Sequence, residues 1–405
     1  MAHEESSLDD FSLSTLALHS DDYCDGLQDE AAPLRLSTTF KYNKNPTELV
    51  PIPDRTTNDP DDYYYSRISA PTTYRFETAL SAILNANAVT YASGLAAFHA
   101  ALILLNPRRV SIGKDAYFGC QGVIDIVSRL SNTEKIALDC PAEDLHPGDL
   151  IMLETPLSPS GLALNIAAYA QKAHARGAFL LVSSTLAPPG LQDPFALGAD
   201  LVMHSGSKYI GGHSDTINGI LSTKNQHWAN QLHKDRSILG NTLSGFDSWL
   251  GLRSIRTLDV RVRRQSESTQ RIVDWLNSCI QGTADTSAVI AQAVTSIGHT
   301  SMQTQDMHWL EKQMPNGYGA LFSLTMKSVH FARRLPSELR LFKHRTSFGG
   351  IESSVEWRRM SDVNVDERLL RFSIGLEDWQ DLKKDLLAGM TMLVESEDPS
   401  LAEAK

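Results

Sequence analysis

Three short, almost wholly apolar runs, LIMLET (150–155), AFLLVSS (178–184) and ADLVMHS (199–205), follow one another along the chain. The amphipathic IAAYAQKAHARG separates the first two. A strand that is apolar on both faces must be covered on both, so continuous apolar strands linked by helices predict a parallel sheet with helices on each side. With 42% hydrophobic and 21% charged residues in 405, the chain can bury a large core, which excludes global disorder.

Three zones differ in texture. Residues 1–62 are rich in Pro, Asn and Asp, as in NPTELVPIPDRTTNDPDD, and read as an irregular arm. Residues 63–259 carry the strand and helix alternation of a large domain. Residues 260–405 read as a smaller α/β domain, with GYGALFSLTM and LRFSIGL as strands. Its closing helix has Trp379, Leu382, Leu386 and Met390 at helical spacing behind an Asp378 cap, before a polar tail after Glu395. The apolar stretch 88–105 contains Ser93, Gly94 and His99 and is short for a membrane span, so it reads as a buried helix.

The sharpest local feature is HSGSKYIGGHSD (204–215). It sets Lys208 directly after an apolar strand, among small hydroxyl residues and before paired glycines. Such a lysine is either an ordinary loop charge in a Gly/Ser turn or a covalent catalyst that forms a Schiff base with a carbonyl. Pyridoxal phosphate is the commonest carbonyl cofactor held that way. On the second reading Ser205 and Ser207 hydrogen-bond the phosphate.

Further blocks accompany that motif in order: STTFKY (37–42), YYSR (64–67), YASGLAAFHA (91–100), DAYFGC (115–120), LETPLSP (153–159), LQDPFALGAD (191–200), SFGGIES (347–353) and LRFSIGLED (370–378). With them the chain resembles the Cys/Met-metabolism PLP-dependent enzymes, which include cystathionine γ-synthase, cystathionine lyases, methionine γ-lyase and O-acetylhomoserine sulfhydrylase. GGIESSVEWRRMSD and LAPPGLQDPF are most similar to fungal members. The resemblance implies an α/β PLP-dependent transferase fold of type I, aspartate-aminotransferase-like. Its large domain holds a mostly parallel seven-stranded sheet, and a smaller α/β domain follows.

The same resemblance gives residues their expected roles. Lys208 carries pyridoxal 5'-phosphate and acts as the base, and Tyr117 stacks on the ring, where its hydroxyl assists proton transfer as a second catalytic group. Ser93, Gly94 and Leu95 cradle the phosphate at a helix N-terminus. Tyr65 and Arg67 reach it from a neighbouring subunit, so a homodimer or homotetramer with shared sites is expected. Arg371 clamps the substrate α-carboxylate, and Ser347 faces the same group. The expected reaction is γ- or β-replacement or elimination on a sulfur amino acid or O-acylated homoserine.

Several positions depart from that pattern. Ser183 stands where the family has an aspartate against the pyridine nitrogen. A hydroxyl cannot hold a pyridinium as a carboxylate does, so the electron sink weakens and β-chemistry gains over γ-chemistry. Ser158 replaces an asparagine that contacts the cofactor's ring oxygen, and Ala70 replaces a structural asparagine. Thr346 stands where many γ-active members have glutamate, and Gly119 where methionine γ-lyases have a reactive cysteine. A weakly active or non-catalytic homologue serving as subunit or scaffold, and a secondary-metabolism enzyme using a non-sulfur nucleophile, remain alternatives.

Other expectations follow from charge and cysteines. Lys plus Arg total 37 against 48 Asp plus Glu, a net charge of −11 that disfavours nucleic acid. Cys24, Cys120, Cys140 and Cys279 show no close pairing, which fits a reducing compartment. The acidic N-terminus has no basic region before an apolar run, so a cytoplasmic protein with neither signal peptide nor membrane contact is expected. His204, His213, Asp215 and His233 lack close metal-ligand spacing, and no metal is expected. Arg253, Arg256, Arg261, Arg263 and Arg264 read as a solvated helix face or subunit contact, and Cys120 as a buried thiol.

Overall fold

The three apolar runs form the middle of a seven-stranded sheet. Its strands are β1 (Asn87–Tyr91), β2 (Arg109–Ile112), β3 (Glu134–Ala137), β4 (Leu150–Glu154), β5 (Phe179–Ser183), β6 (Leu201–Ser205) and β7 (Gly219–Thr223). They lie in the order β1-β7-β6-β5-β4-β2-β3. β7 runs antiparallel to β1 and β6, while the remaining neighbours are parallel. This computed structural model describes residues 11–24, 29–51, 63–284 and 287–397. Part of the Pro/Asn/Asp-rich stretch (52–62), the first ten residues and the end of the polar tail lie outside them.

Leu150, Ile151, Met152 and Leu153 of β4 are each 1% exposed or less. Each such side chain contributes about 1.5–3 kcal/mol through burial. Edge strand β3 instead carries exposed Glu134 and Lys135, charges that discourage further pairing.

Around the sheet pack α1 (Leu13–His19), α2 (Pro71–Leu84), α3 (Gly94–Leu105), α4 (Phe118–Ser131), α5 (Ile166–His174), α6 (Gln226–Leu239), α7 (Gly245–Ile255) and α8 (Leu258–Ile280). Several starts are written in the sequence as side-chain caps: Ser93, Asn165, Asn225 and Ser244 each accept a backbone N–H three residues on. Asn85, Asn106 and Asn132 close α2, α3 and α4 in the left-handed conformation that asparagine tolerates.

Three expectations need correction. The stretch 88–105 is not one helix: its first residues belong to β1, where Val89, Thr90 and Tyr91 favour extended backbone, and the Ser93 cap starts α3 afresh. The zone read as an irregular arm contains α1, whose Ala17 is buried and whose last carbonyls accept Arg256 Nη1 at 2.7 and 2.9 Å. In the basic run Arg261 is neither solvated nor at a surface contact. It is 3% exposed, and donates to the Tyr209, Ile210 and Ser254 carbonyls, bracing the turn after Lys208.

The second sheet holds β8 (Val294–Gly298), β9 (Leu321–Met326), β10 (Lys343–His344), β11 (Ser354–Trp357) and β12 (Leu369–Ser373) in the order β10-β11-β12-β9-β8. Behind it the closing helix, Trp379–Glu397, buries Leu382, Leu386 and Met390 completely, with Asp378 Oδ1 accepting Gln380 N–H at 2.8 Å. A boundary at 259/260 falls in the first turn of α8. That helix gives Leu258 and Val262 to one core and Ile272, Val273 and Leu276 to another. Among the described residues no helix is long and apolar enough to cross a membrane.

Candidate active site

The C-terminal ends of β4, β5 and β6 open on one edge of the sheet, where parallel α/β sheets place ligands. Register sets Glu154, last in β4, beside Ser183, last in β5, and β6 ends at Ser205. Past β1, Ser93 Oγ accepts Ala96 N–H at 3.1 Å and fixes the start of α3. The first amides of that helix have no partner inside it. A Cβ on Gly94 would stand 3.0 Å from Ser205 Cβ and 3.2 Å from its Oγ, so the helix end and the Ser205 hydroxyl form one small cradle.

A phosphate dianion fits that cradle, because amides, the positive end of a helix and a hydroxyl converge where only glycine leaves room. Of the two serines flanking Gly206, Ser205 lines the cradle directly, while Ser207 Oγ accepts Asn218 N–H at 3.0 Å and keeps its O–H to donate, with the Asn218 carbonyl 3.4 Å away. Thr185 Oγ1 accepts Ser205 N–H at 2.9 Å and lies 3.4 Å from the hydroxyl of buried Ser183.

Lys208 follows one turn later, its N–H donating to Ser205 O at 3.1 Å. Its Nζ donates to Ser347 Oγ at 2.8 Å and lies 5.2 Å from the centre of the Phe348 ring. Burial holds the amine below the usual lysine range, and the charges of Arg371 and Arg345 add to the effect. A lysine so placed gives up its own proton more readily than one in water, which brings the free amine that can accept a substrate proton within easier reach.

Arg371 is buried on β12 directly across from Glu356 on β11. Its guanidinium donates to Glu356, to Ser347 O at 2.9 Å and to Ser158 Oγ at 3.1 Å. Burial draws its value down to about 10, with the Glu356 carboxylate opposing that shift. Ser158 thus lies against the arginine, and Ser347 touches Lys208 with its hydroxyl and Arg371 with its carbonyl.

Tyr117 stands just before α4, half-exposed, with its ring against Leu95 and Gly119: a Cβ on Gly119 would lie 2.6 Å from a Tyr117 ring carbon. Its N–H donates to Glu154 Oε2 at 2.8 Å, and desolvation raises its hydroxyl above the ordinary tyrosine value. Burial pushes Glu154 itself up to about 7, against N–H bonds from Tyr117 and Ser158. Tyr65 and Arg67 are not brought to this cluster within one chain. Arg67 stacks on the Tyr65 ring at 5.3 Å and donates to the Ser237 carbonyl in α6.

Glu154, Thr185, Arg345, Phe348 and Glu356 were not singled out from the sequence. Glu154, Glu356, Phe348 and Arg345 sit inside or beside motif blocks, and strand periodicity was the signal that could have faced Glu356 to Arg371. Among the described residues no three His, Cys, Asp or Glu side chains gather into a metal cluster, and buried Cys120 has its thiol pushed well up by burial.

A family profile described as Cys/Met metabolism PLP-dependent enzyme matches residues 14–391. The chain is similar to chloroplastic cystathionine beta-lyase of Arabidopsis thaliana, 30% identical over 396 residues that span 93% of this chain and 80% of that one. It is 30% identical to cystathionine gamma-lyase of Dictyostelium discoideum over 374 residues, 87% of this chain and 91% of the other. The crystal structure of metB from Corynebacterium glutamicum superposes with a TM-score of 0.83 at 28% identity, spanning 95% of this chain and 99% of that one.

Proposed function

The chain belongs to the Cys/Met-metabolism PLP-dependent enzymes, and on that premise we propose that it is a trans-sulfuration-type lyase or transferase breaking or exchanging a bond at Cβ, in preference to Cγ, of an amino acid held between Lys208 and Arg371. Its cofactor is pyridoxal 5'-phosphate, which supplies a carbonyl for the substrate amine and a ring that draws electrons from Cα.

This chain's own residues do the rest. Gly94, Leu95 and Ser205 hold the phosphate at the end of α3, with Ser93 fixing that end. Tyr117 covers the ring from the α4 side. Arg371, braced by Glu356 and Ser158, takes the α-carboxylate and so aims the Cα–H bond. Lys208 Nζ, whose hold on its own proton is weakened by burial and by the charges of Arg371 and Arg345, removes that proton, and Ser347 Oγ steers the freed amine. Ser183 offers the ring nitrogen a hydroxyl and no charge, which favours Cβ departure over the longer route to Cγ. Tyr65 and Arg67, which stand away from Lys208 in their own chain, serve the phosphate of a neighbouring copy, so the active unit is a homodimer or a homotetramer.

The observation that carries this reading is the joining of Lys208 Nζ and Arg371 Nη2 through the single residue Ser347. Its test is the visible spectrum of the protein with added pyridoxal 5'-phosphate beside that of Lys208→Ala, followed by ketoacid release from cystathionine, cysteine and acylated homoserines. A lysine-dependent yellow band and faster release from Cβ-substituted substrates are expected. A colourless wild type overturns the assignment of Lys208, and faster release from acylated homoserines overturns the preference for Cβ.

A further inference from the structure

Glu356 is held by more than Arg371. Its Oε2 also accepts Arg358 Nη1 at 3.0 Å, and its Oε1 accepts the Ser361 hydroxyl at 2.6 Å. Arg358 Nη1 gives a second bond to Ser361 Oγ at 2.9 Å, which closes a triangle on the carboxylate. Both residues lie just past β11, Arg358 opening the single 3-10 turn Arg358–Met360 and Ser361 capping its end. The grip on Glu356 is therefore local to the strand end, while Arg371 comes to it from β12.

An arginine on a turn ordinarily keeps its head in water. The Arg358 side chain is only 13% exposed, and its Nε is buried with no hydrogen-bond partner. Leaving a donor so is costly, and the bonds to Glu356 and Ser361 are what hold the side chain inward.

The consequence falls on Arg371. Its Nη2 has two hydrogens, and both are taken, by Glu356 and by the Ser347 carbonyl. Nη1 gives one to Ser158 Oγ and keeps the other. Because a guanidinium is planar and rigid, the way Nη2 is held sets where that spare N–H points. A Glu356 carboxylate free to turn would carry the fork with it, whereas one gripped at both oxygens does not.

We propose that Arg358, together with Ser361, is a positioning residue of the Lys208 site: it fixes Glu356, and through Glu356 the direction in which Arg371 meets a substrate α-carboxylate. The inference rests on the reading of Arg371 given above. Acting through two intervening side chains, Arg358 sets affinity for the carboxylate and not the chemistry at Cα.

The test is calorimetric titration of the protein loaded with pyridoxal 5'-phosphate, following the visible band in parallel. L-Norleucine is compared with pentylamine, the same molecule without its carboxylate. The wild type is expected to bind norleucine at least about tenfold more tightly, the scale of a charged hydrogen bond. Arg358→Met and Ser361→Ala should each cut that preference about three- to tenfold and leave pentylamine affinity unchanged, and Arg358→Lys should restore part of it. In Arg371→Met, which loses the preference, adding Arg358→Met should change nothing further.

A preference that survives Arg358→Met, or one that falls again when Arg358→Met is added to Arg371→Met, overturns the inference. So does a preference that falls in Arg358→Met and not in Ser361→Ala, which makes Arg358 a distant charge, or an equal loss for both ligands, which makes it a structural residue only. Should Arg358→Met fail to fold, Ser361→Ala and Arg358→Lys decide by the same comparison. All of these leave the proposed function intact. A preference that survives Arg371→Met, or failure of both ligands to shift the band, overturns the proposed function as well.

Discussion

Lys208 Nζ and Ser347 Oγ lie 2.8 Å apart, which ties the turn after β6 in the first sheet to the loop before β11 in the second. Ser347 does this at φ +76, a left-handed conformation that costs a residue with a Cβ about 1–2 kcal/mol. In that conformation its carbonyl also reaches Arg371 Nη2 at 2.9 Å. Ser347→Gly keeps the backbone path and relieves the strain, so it should melt at or above the wild-type temperature with KM unchanged and kcat down about tenfold, the scale of one lost hydrogen bond. Ser347→Ala loses the same hydroxyl without relief and should melt below the glycine variant. Equal melting of the two would show that the turn, and not φ, sets the cost.

The cradle at α3 gives a graded pair. A Cβ at Gly94 meets Ser205 at 3.0 Å, a contact that small shifts accommodate, whereas one at Gly219 would overlap the Ser93 carbonyl that starts the helix. Gly94→Ala should therefore fold with little change in melting yet bind pyridoxal 5'-phosphate at least about tenfold more weakly, because the phosphate loses close approach to the amides. Gly219→Ala should lower both melting and cofactor affinity. Unchanged affinity in Gly94→Ala would place the phosphate elsewhere.

Glu356 and Arg371 form a buried ion pair, with side chains 3% and 5% exposed. Removing one partner of such a pair costs about 3–5 kcal/mol when nothing replaces it. Glu356→Gln keeps an acceptor, and Ser158 and the Ser347 carbonyl still hold the guanidinium, so a smaller loss is expected, with KM raised about tenfold and kcat little changed. Steady-state kinetics on one substrate decides this. A fall in kcat at constant KM would instead make Glu356 part of the proton-transfer machinery.

How much of this was legible follows from the range of the interactions. The β4, β5 and β6 runs announce a covered parallel sheet because burial on both faces leaves no polar alternation, and Ser93 announces α3 because a cap acts three residues away. The pairing of Arg371 with Glu356 depends on which strands sit side by side, a long-range outcome. Arg261 shows the same limit, since the residues it braces are more than fifty positions upstream. Neither residue's own neighbourhood in sequence says whether its charge meets water or a carbonyl.

Buried titrating groups pull stability in opposite directions with pH. Glu154 is pushed up to about 7, so the folded state holds an extra proton between about 4.5 and 7, and stability falls as pH rises through that window. His204 and His299 are drawn down to about 4 by burial, so their contribution rises from about pH 4 to 6.5 and is lost in acid. Glu154→Gln removes only the falling part. Relative to the wild type it should gain on the order of 3 kcal/mol between pH 4.5 and 7.5, read from urea unfolding of the cofactor-free protein. A constant offset across that range would show that Glu154 titrates as an ordinary surface acid.

Ser183 offers the sharpest test of the Cβ preference. It is 5% exposed, with Thr185 Oγ1 at 3.4 Å. A carboxylate placed there loses its water, so Ser183→Asp should melt at lower temperature than wild type in the cofactor-free protein. If the ring nitrogen lies against this position, added pyridoxal 5'-phosphate supplies a positive charge. It should then raise the melting temperature of the variant by more than it raises that of the wild type. The held charge also strengthens withdrawal of electrons from Cα, so exchange of the norleucine Cα proton for deuterium should speed up about tenfold or more. Release from Cγ-substituted substrates should gain relative to release from Cβ-substituted ones. Destabilisation that the cofactor does not reverse, with exchange unchanged, would place Ser183 away from the ring and remove the physical basis for the preference.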